Sequence, residues 1–93
     1  MIKCVVEMFG LPRQVTEVRG VEVGLNDGAS LGDVIAALRH EIPALEGPVI
    51  RAGEDRLLEH YAFNVNGSFY FADGDVQLKD GDFVLLLTLP TGG

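Results

Sequence analysis

The sequence predicts an α+β domain in which a mixed sheet of about four to five strands is covered on one face by one main helix. Two patterns carry this prediction. Residues 2–8 alternate apolar and polar side chains, which is typical of a half-buried strand. Residues 31–42 carry apolar side chains at intervals of three and four, which is typical of an amphipathic helix. One helix can cover only one face of a sheet, so a two-layer architecture is expected.

The first strand is predicted from IKCVVEMF, in which Ile2, Cys4, Val6 and Met8 fall on one face. The following GLPR contains glycine and proline and predicts a turn. The segment VTEVRGVEVGL is rich in Val and Thr, and it predicts a second strand that pairs with the first as a hairpin. Gly20 stands where the alternation changes phase, as expected of a β-bulge.

The main helix is predicted to begin after Ser30, which suits an N-cap. Asp33 follows three residues later, in the position of a capping-box acid. Arg39 and His40 near the other end suit the negative terminus of the helix dipole. Pro43 ends the helix because proline has no N–H to donate.

The second half of the chain predicts an irregular connection followed by three strands. Residues 44–60 contain Gly-Pro and an isolated glycine, so we expect at most one short helical turn there. Asn66-Gly67 is a strong signal for a two-residue hairpin turn between YAFNV and SFYF. The last segment, FVLLLTL, is continuously apolar, which is typical of a strand in the middle of a sheet.

The predicted order is strand, strand, helix, strand, short strand, strand. The first and last strands are the most apolar, so we place them side by side in the middle of the sheet. They then run parallel, with the helix in the crossover between them, which is the ubiquitin-like β-grasp. The predicted domain spans residues 1–89, and residues 90–93 form a flexible tail.

Composition and charge limit the classes of function. The chain has 93 residues and a net charge of −7, which suits one small domain and argues against binding to nucleic acids or anionic membranes. Lys3 and Glu7 interrupt the first apolar run, so neither a signal peptide nor a membrane span is predicted, and a cytoplasmic location is expected. The single cysteine excludes an internal disulfide and a cysteine-based zinc site.

No residue inside the predicted domain belongs to a recognisable catalytic or metal-binding motif, and no bound cofactor is expected. Cys4 lies on the buried face of its strand, where a thiol stays protonated and inert. His40 and His60 lie in different elements, without acidic or cysteine neighbours at ligand spacing. The aspartates of DGDVQLKDGD lack the spacing of a calcium loop and are better explained as turn residues.

The continuous apolar run of the last strand leaves two alternatives. Because one helix covers only one face of the sheet, either residues 44–60 fold over the second face or that face stays exposed as an apolar patch. We favour the exposed patch, which would await a partner.

The C-terminal LPTGG is the second unusual feature. Gly92 and Gly93 have the least restricted backbones of any residue, and a frayed terminus is the structural explanation. The functional explanation is that residues without side chains enter a channel too narrow for any Cβ. The four residues after Leu89 extend at most about 14 Å, which would bring the terminal carboxylate into a neighbouring enzyme while the domain stays outside.

Five segments together resemble the MoaD/ThiS-type ubiquitin-like sulfur carriers, the family containing the small subunit of molybdopterin synthase and the thiamine-pathway sulfur carrier. The resemblance covers nearly the whole chain, and LKDGD combined with the terminal Gly-Gly is its most specific part. Residues 44–60 and the first hairpin are longer than in typical members, and Thr91 separates the proline from the glycines. The five segments are MFGLPR, ASLGDVIAALRHEIPAL, FNVNG, LKDGDFVLLL and LPTGG.

The resemblance implies a carrier protein that is a substrate of an activating enzyme and is not itself an enzyme, and it leaves open that the chain is a small subunit of a sulfur-transfer enzyme such as molybdopterin synthase. A ubiquitin-activating-like adenylyltransferase would use ATP to adenylate the carboxylate of Gly93, and a persulfide would convert it to a thiocarboxylate. Gly92 and Thr91 would belong to the tail, and Leu85 and Leu87 would face partners. A sulfur-acceptor synthase subunit would be the second partner. The pathway, whether to molybdopterin, thiamine, cysteine or another product, stays open.

Matching positions before the tail place Val84 and Leu86 in the core, where the alternation and the helical stripe also place Cys4, Val6 and Leu38. Two functions of other classes stay open. A ubiquitin-like modifier would be attached through Gly93 to lysines of target proteins and would share every feature above. A β-grasp interaction module with an incidental Gly-Gly end would make the tail dispensable.

Overall fold

The computed structural model describes residues 1–70 and 76–89. In this part of the chain five strands form one mixed sheet in the order β2-β1-β5-β3-β4, with one main helix, α2. This is the predicted β-grasp arrangement. In chain order the elements are β1 (Ile2–Met8), α1 (Leu11–Thr16), β2 (Gly20–Leu25), α2 (Leu31–Glu41), a 3₁₀ helix (Pro43–Leu45), β3 (Tyr61–Val65), β4 (Ser68–Tyr70) and β5 (Phe83–Thr88).

The first and last strands form the centre of the sheet, as predicted. Strand β1 runs parallel to β5, with Val6 beside Val84 and Met8 beside Leu86. On its other side β1 pairs with β2 in an antiparallel register, and β5 is antiparallel to β3. Parallel neighbours need a long crossover, and here the segment containing α2 lies within it.

One buried cluster lies between the sheet and α2. Cys4, Val6, Leu38, Val84 and Leu86 all belong to it and have no exposed surface, which confirms the predicted core. Every second side chain of β1 and β5 points into this cluster because successive side chains of a strand point to opposite faces. The remaining side chains of these strands therefore lie on the other face of the sheet.

The first hairpin differs from the prediction. Residues 11–16 form the short helix α1, and β2 begins only at Gly20. Pro12 occupies the first turn, where its missing N–H would be unpaired in any case. The Thr16 hydroxyl donates a 2.8 Å hydrogen bond to the Pro12 carbonyl and accepts the N–H of Val18 at 3.1 Å, and Glu17 follows with a positive φ of 58°.

Gly20 pairs in register with Glu7, so it is a regular ladder position and the predicted bulge is wrong. A Cβ at this position would lie 3.2 Å from the carbonyl oxygen of Val6, which is a tight contact. Glycine at this position therefore allows the backbones of β1 and β2 to approach closely.

The main helix has the predicted ends. The Ser30 N–H donates a 2.9 Å hydrogen bond to Asp33 Oδ2, which is the reciprocal half of a capping box. Helix α2 ends at Glu41, and Pro43 begins the 3₁₀ helix. The last β-hairpin also agrees with the prediction, because Asn66 and Gly67 both have positive φ angles, as a two-residue primed turn requires.

The connection between the 3₁₀ helix and β3 packs into the same core as α2. Val49, Ile50 and Leu57 are buried members of the cluster, as is Leu45 at the end of the 3₁₀ helix. Among the described residues, this connection therefore leaves the second face of the sheet uncovered, which agrees with the alternative that the sequence favoured. Its path is irregular, with isolated bridges that join Ile50 to Glu46 and to Leu57.

Candidate partner-binding face and tail exit

The sheet face opposite α2, here called the open face, carries exposed apolar side chains on strands β1, β5 and β4. Val5 of β1 lies beside Phe83 of β5, and Phe69 of β4 lies opposite Asn64 of β3. Val5, Phe83 and Phe69 are 38%, 43% and 53% exposed. Exposed apolar side chains on one sheet face are a candidate interaction surface.

Leu85 and Leu87 lie on this open face, between the more exposed side chains. Leu85 is beside Glu7 of β1 and opposite Asn64 of β3, and Leu87 is opposite Ala62. Both leucines are half-buried, whereas their neighbours in sequence, Val84 and Leu86, point into the core. The two leucines therefore have the outward orientation that the resemblance implies.

The point where the tail leaves the domain is held by a backbone hydrogen bond. The N–H of Leu89 donates to the carbonyl of His60 at 2.7 Å, and Thr88 pairs with Tyr61. His60 has a φ of 83°, which is uncommon for a residue with a side chain. The chain thus reaches residue 90 from a defined position at the edge of the open face.

The predicted tail residues Thr91, Gly92 and Gly93 lie outside the described residues, as does the predicted boundary at residue 90. The adenylation site and the two-part division of the chain therefore stay predictions.

Two clefts flank this exit. The first is lined by Gly10, Arg13, Gln14, Glu17 and Arg19. A Cβ on Gly10 would lie 3.5 Å from the Thr88 hydroxyl, so this cleft adjoins the end of β5.

The second cleft has a volume of about 370 Å³. It adjoins the exit because His60 and Tyr61 belong to its wall. Its lining residues are Arg51, Arg56, Leu57, Leu58, Glu59, His60 and Tyr61.

The match to a protein-family model extends over residues 6–93 and identifies the ThiS family. The chain belongs to the ThiS family. The match includes β1 from Val6 onward, β5 with its open-face residues and the Gly-Gly end, so it covers nearly the whole chain. A comparison with curated proteins finds no match.

Solved structures share the fold of this ThiS-family chain. SAMP1 from Haloferax volcanii is 26% identical, with a TM-score of 0.80 and coverage of 98% of this chain and 99% of that one. A putative molybdopterin converting factor, subunit 1, from Pyrococcus furiosus is 25% identical, with a TM-score of 0.70 and coverage of 95% and 98%. The BexX/CysO complex from Amycolatopsis orientalis contains a chain that is 19% identical, with a TM-score of 0.69 and coverage of 97% and 99%. At that last identity the likeness shows the fold alone.

Cys4 is enclosed in the core of this ThiS-family domain, as predicted. Burial raises the pKa of the Cys4 thiol, and the nearby carboxylates of Asp82 and Asp80 raise this pKa further. Its Sγ lies 3.7 Å from the Lys79 carbonyl oxygen. A thiol with a raised pKa and no exposed surface is a packing group and a poor nucleophile.

His40 and His60 are both exposed, and they lie in α2 and in the connection before β3. Within residues 1–70 and 76–89, no three His, Cys, Asp or Glu side chains come together in a group that could hold a metal ion. In the same residues, no helix has both the length and the hydrophobicity that a membrane span requires.

Sequence reasoning missed the arginine clefts beside the exit of this ThiS-family chain. Arg13 lies in the unpredicted helix α1 and Arg19 lies between α1 and β2, whereas Arg51 and Arg56 belong to the connection whose path the sequence left open. The available signal was the uneven distribution of basic residues, because five of the seven are arginines in a chain of net charge −7.

Proposed function

We propose that this ThiS-family chain is a sulfur carrier protein, whose Gly93 carboxylate is activated by a ubiquitin-activating-like adenylyltransferase and then converted to a thiocarboxylate. One observation carries the proposal: the family match continues through the domain to the terminal Gly-Gly. The chain would be a substrate and carrier in this chemistry, and the acceptor would be a cofactor or metabolite precursor.

The chemistry requires activation because a carboxylate is a poor electrophile. Attack of the Gly93 carboxylate on the α-phosphorus of ATP would form an acyl-adenylate and release pyrophosphate. A persulfide on a sulfur donor would then attack the acyl carbon, and AMP would leave. A second thiol would reduce the resulting acyl disulfide, forming a disulfide with the donor sulfur and releasing the thiocarboxylate.

The geometry of the described domain supports a carrier with a positioned tail. Strand β5 brings the chain directly to the exit, where the hydrogen bond from Leu89 to His60 fixes the last described residue. The open face lies on the same strand, so a partner that binds Leu85 and Leu87 would also hold the start of the tail. The domain would thereby align the reactive end without contacting it.

Intact mass spectrometry tests this function. Incubated with the activating enzyme encoded in the same genome, ATP and a sulfur donor, the chain should gain the mass difference of one oxygen exchanged for one sulfur. A chain lacking Gly92 and Gly93 should stay folded and gain nothing. A truncated chain that still acquires sulfur, or a full chain that is never adenylated, contradicts the proposal.

The open face should contribute binding to the activating or acceptor partner. Leu87→Ala should raise the dissociation constant by about fivefold or more, because truncating an apolar anchor at an interface typically costs more than about 1 kcal/mol. Titration calorimetry measures the dissociation constant, and a thermal melt of the free variant is the control. Unchanged binding would show that this leucine is not part of the interface, and an unfolded variant would show that its role is structural.

A second candidate function is a ubiquitin-like modifier, and one observation favours it. The similar Haloferax volcanii structures include one described as small archaeal modifier protein 1, which is 26% identical. Such a role would join Gly93 to lysines of target proteins. Lys79 is the last basic residue, so trypsin would leave residues 80–93 as a branch on the target lysine. Detection of that branch in source cells, without any thiocarboxylate product, would favour the modifier.

A further inference from the structure

Two acidic residues of the connection before β3, Glu46 and Asp55, are engaged within the domain. Arg39 of α2 lies with its Nη2 3.2 Å from Asp55 Oδ1 and with its Nε 3.9 Å from Glu46 Oε2. The same Glu46 oxygen accepts the N–H of Gly53 at 2.8 Å. This network ties the start and the middle of the connection to α2 and engages two of its carboxylates.

Two arginines of the same connection are left without such a pairing. Arg51 and Arg56 are exposed, and the ion pairs found among residues 1–70 and 76–89 include neither. The Arg51 N–H donates a 2.8 Å hydrogen bond to the Arg56 carbonyl, which holds the two residues on either side of one turn. Both line the second cleft, where Glu59 is the one acidic lining residue among those described.

The second cleft lies beside the point where the tail leaves the domain. Its wall includes His60, whose carbonyl holds Leu89, and Tyr61, which pairs with Thr88. The tail beyond Leu89 reaches at most about 14 Å. An enzyme that takes the terminal carboxylate into its active site must therefore bring the rim of its channel close to this cleft.

We propose that the Arg51–Arg56 cleft binds carboxylate side chains on the rim of the tail channel of the activating enzyme. The proposal rests on the carrier function above. Guanidinium groups pair with carboxylates through two parallel hydrogen bonds, so two exposed arginines that form no ion pair among the described residues suit an acidic segment of a protein. The remaining charge of the chain is negative, so this contact would also select the orientation in which the exit faces the partner.

The test removes the charges of Arg51 and Arg56 and compares this variant with a control variant that has the same net charge but keeps both arginines. Arg51→Gln/Arg56→Gln should raise the KM of adenylation by about tenfold at low ionic strength and leave kcat nearly unchanged, because a rim charge acts on association. The control, Asn26→Asp/Lys79→Gln, also lowers the net charge by two. Its residues lie at the opposite end of the sheet, since Leu25 pairs with Ile2 and the N–H of Gly81 donates to the Lys3 carbonyl. The control should stay within about twofold of the parent.

Salt dependence and a charge-preserving variant complete the test. The difference in KM between the Arg→Gln double variant and the control should nearly vanish at roughly 0.5 M salt, because the screening length there is only a few ångströms. Arg51→Lys/Arg56→Lys should recover part of the loss. If the Arg→Gln double variant and the control have the same KM while the parent is adenylated, the inference is wrong and the carrier function stands. If the parent is not adenylated, the carrier function fails, and this inference fails with it.

Discussion

A chain extended by one alanine after Gly93 is expected to form thiocarboxylate at least about 100-fold more slowly than the parent. One added residue moves the terminal carboxylate by about 3.5 Å along an extended tail. Reacting atoms must lie within about 3–3.5 Å of each other, and a misplacement of about 1 Å already costs roughly 100-fold. The melting temperature should stay unchanged, because the buried cluster among the described residues ends at Leu86.

Single-turnover thiocarboxylation followed by intact mass spectrometry measures this rate. The matched control carries the extra alanine directly after Met1, which adds the same mass at the other end of the chain. That control should react at the parental rate. If the extended chain reacts as fast as the control, the enzyme tolerates a displaced carboxylate, and the proposed narrow channel for the Gly-Gly tail is wrong.

Leu86→Ala is expected to lower the free energy of unfolding by about 2–5 kcal/mol, whereas Leu85→Ala should lower it by about 1 kcal/mol or less. The two substitutions delete the same atoms at adjacent positions. Leu86 has no exposed surface and lies between Met8 and Phe63 in the middle of the sheet. Its removal leaves a cavity, while the site of Leu85 on the open face is accessible to water.

Urea denaturation followed by circular dichroism measures both values, and equal slopes of the transitions would show that the comparison is valid. The loss at position 86 is a large part of the total stability of a small domain. Equal losses at the two positions would mean that both faces of β5 are structurally buried. The open face would then not be a partner surface.

The elements that depend on local pattern could be predicted from the sequence. The alternation around Cys4, the capping pair Ser30 and Asp33, and the turn at Asn66 each specify a backbone through contacts within a few residues. The parallel pairing of β1 with β5 followed from the apolar character of both strands. These predictions hold because local preference and tertiary packing agree at each position.

Helix α1 and the connection before β3 could not be predicted, for a different reason. A helix of six residues is too short to be stable alone, so α1 depends on packing that includes the buried Pro12. The connection is held by buried side chains that pack into the core and by the pairing of Arg39 with Glu46 and Asp55, and neither kind of contact follows from a local pattern. The cleft lined by Arg51 and Arg56 forms only when the connection takes this path. This part of the candidate site could therefore not be predicted without predicting the path.

The enclosure of Cys4 has a consequence for the chemical analysis of the loaded protein. The chain contains one cysteine, and its thiol has no accessible surface. A soft alkylating reagent such as iodoacetamide, added under native conditions, would therefore meet no competing sulfur from a side-chain thiol on this molecule. Alkylation of sulfur on the folded chain would then occur at the thiocarboxylate. The fraction of alkylated chains in a mixture would therefore equal the fraction of chains that carry the terminal sulfur.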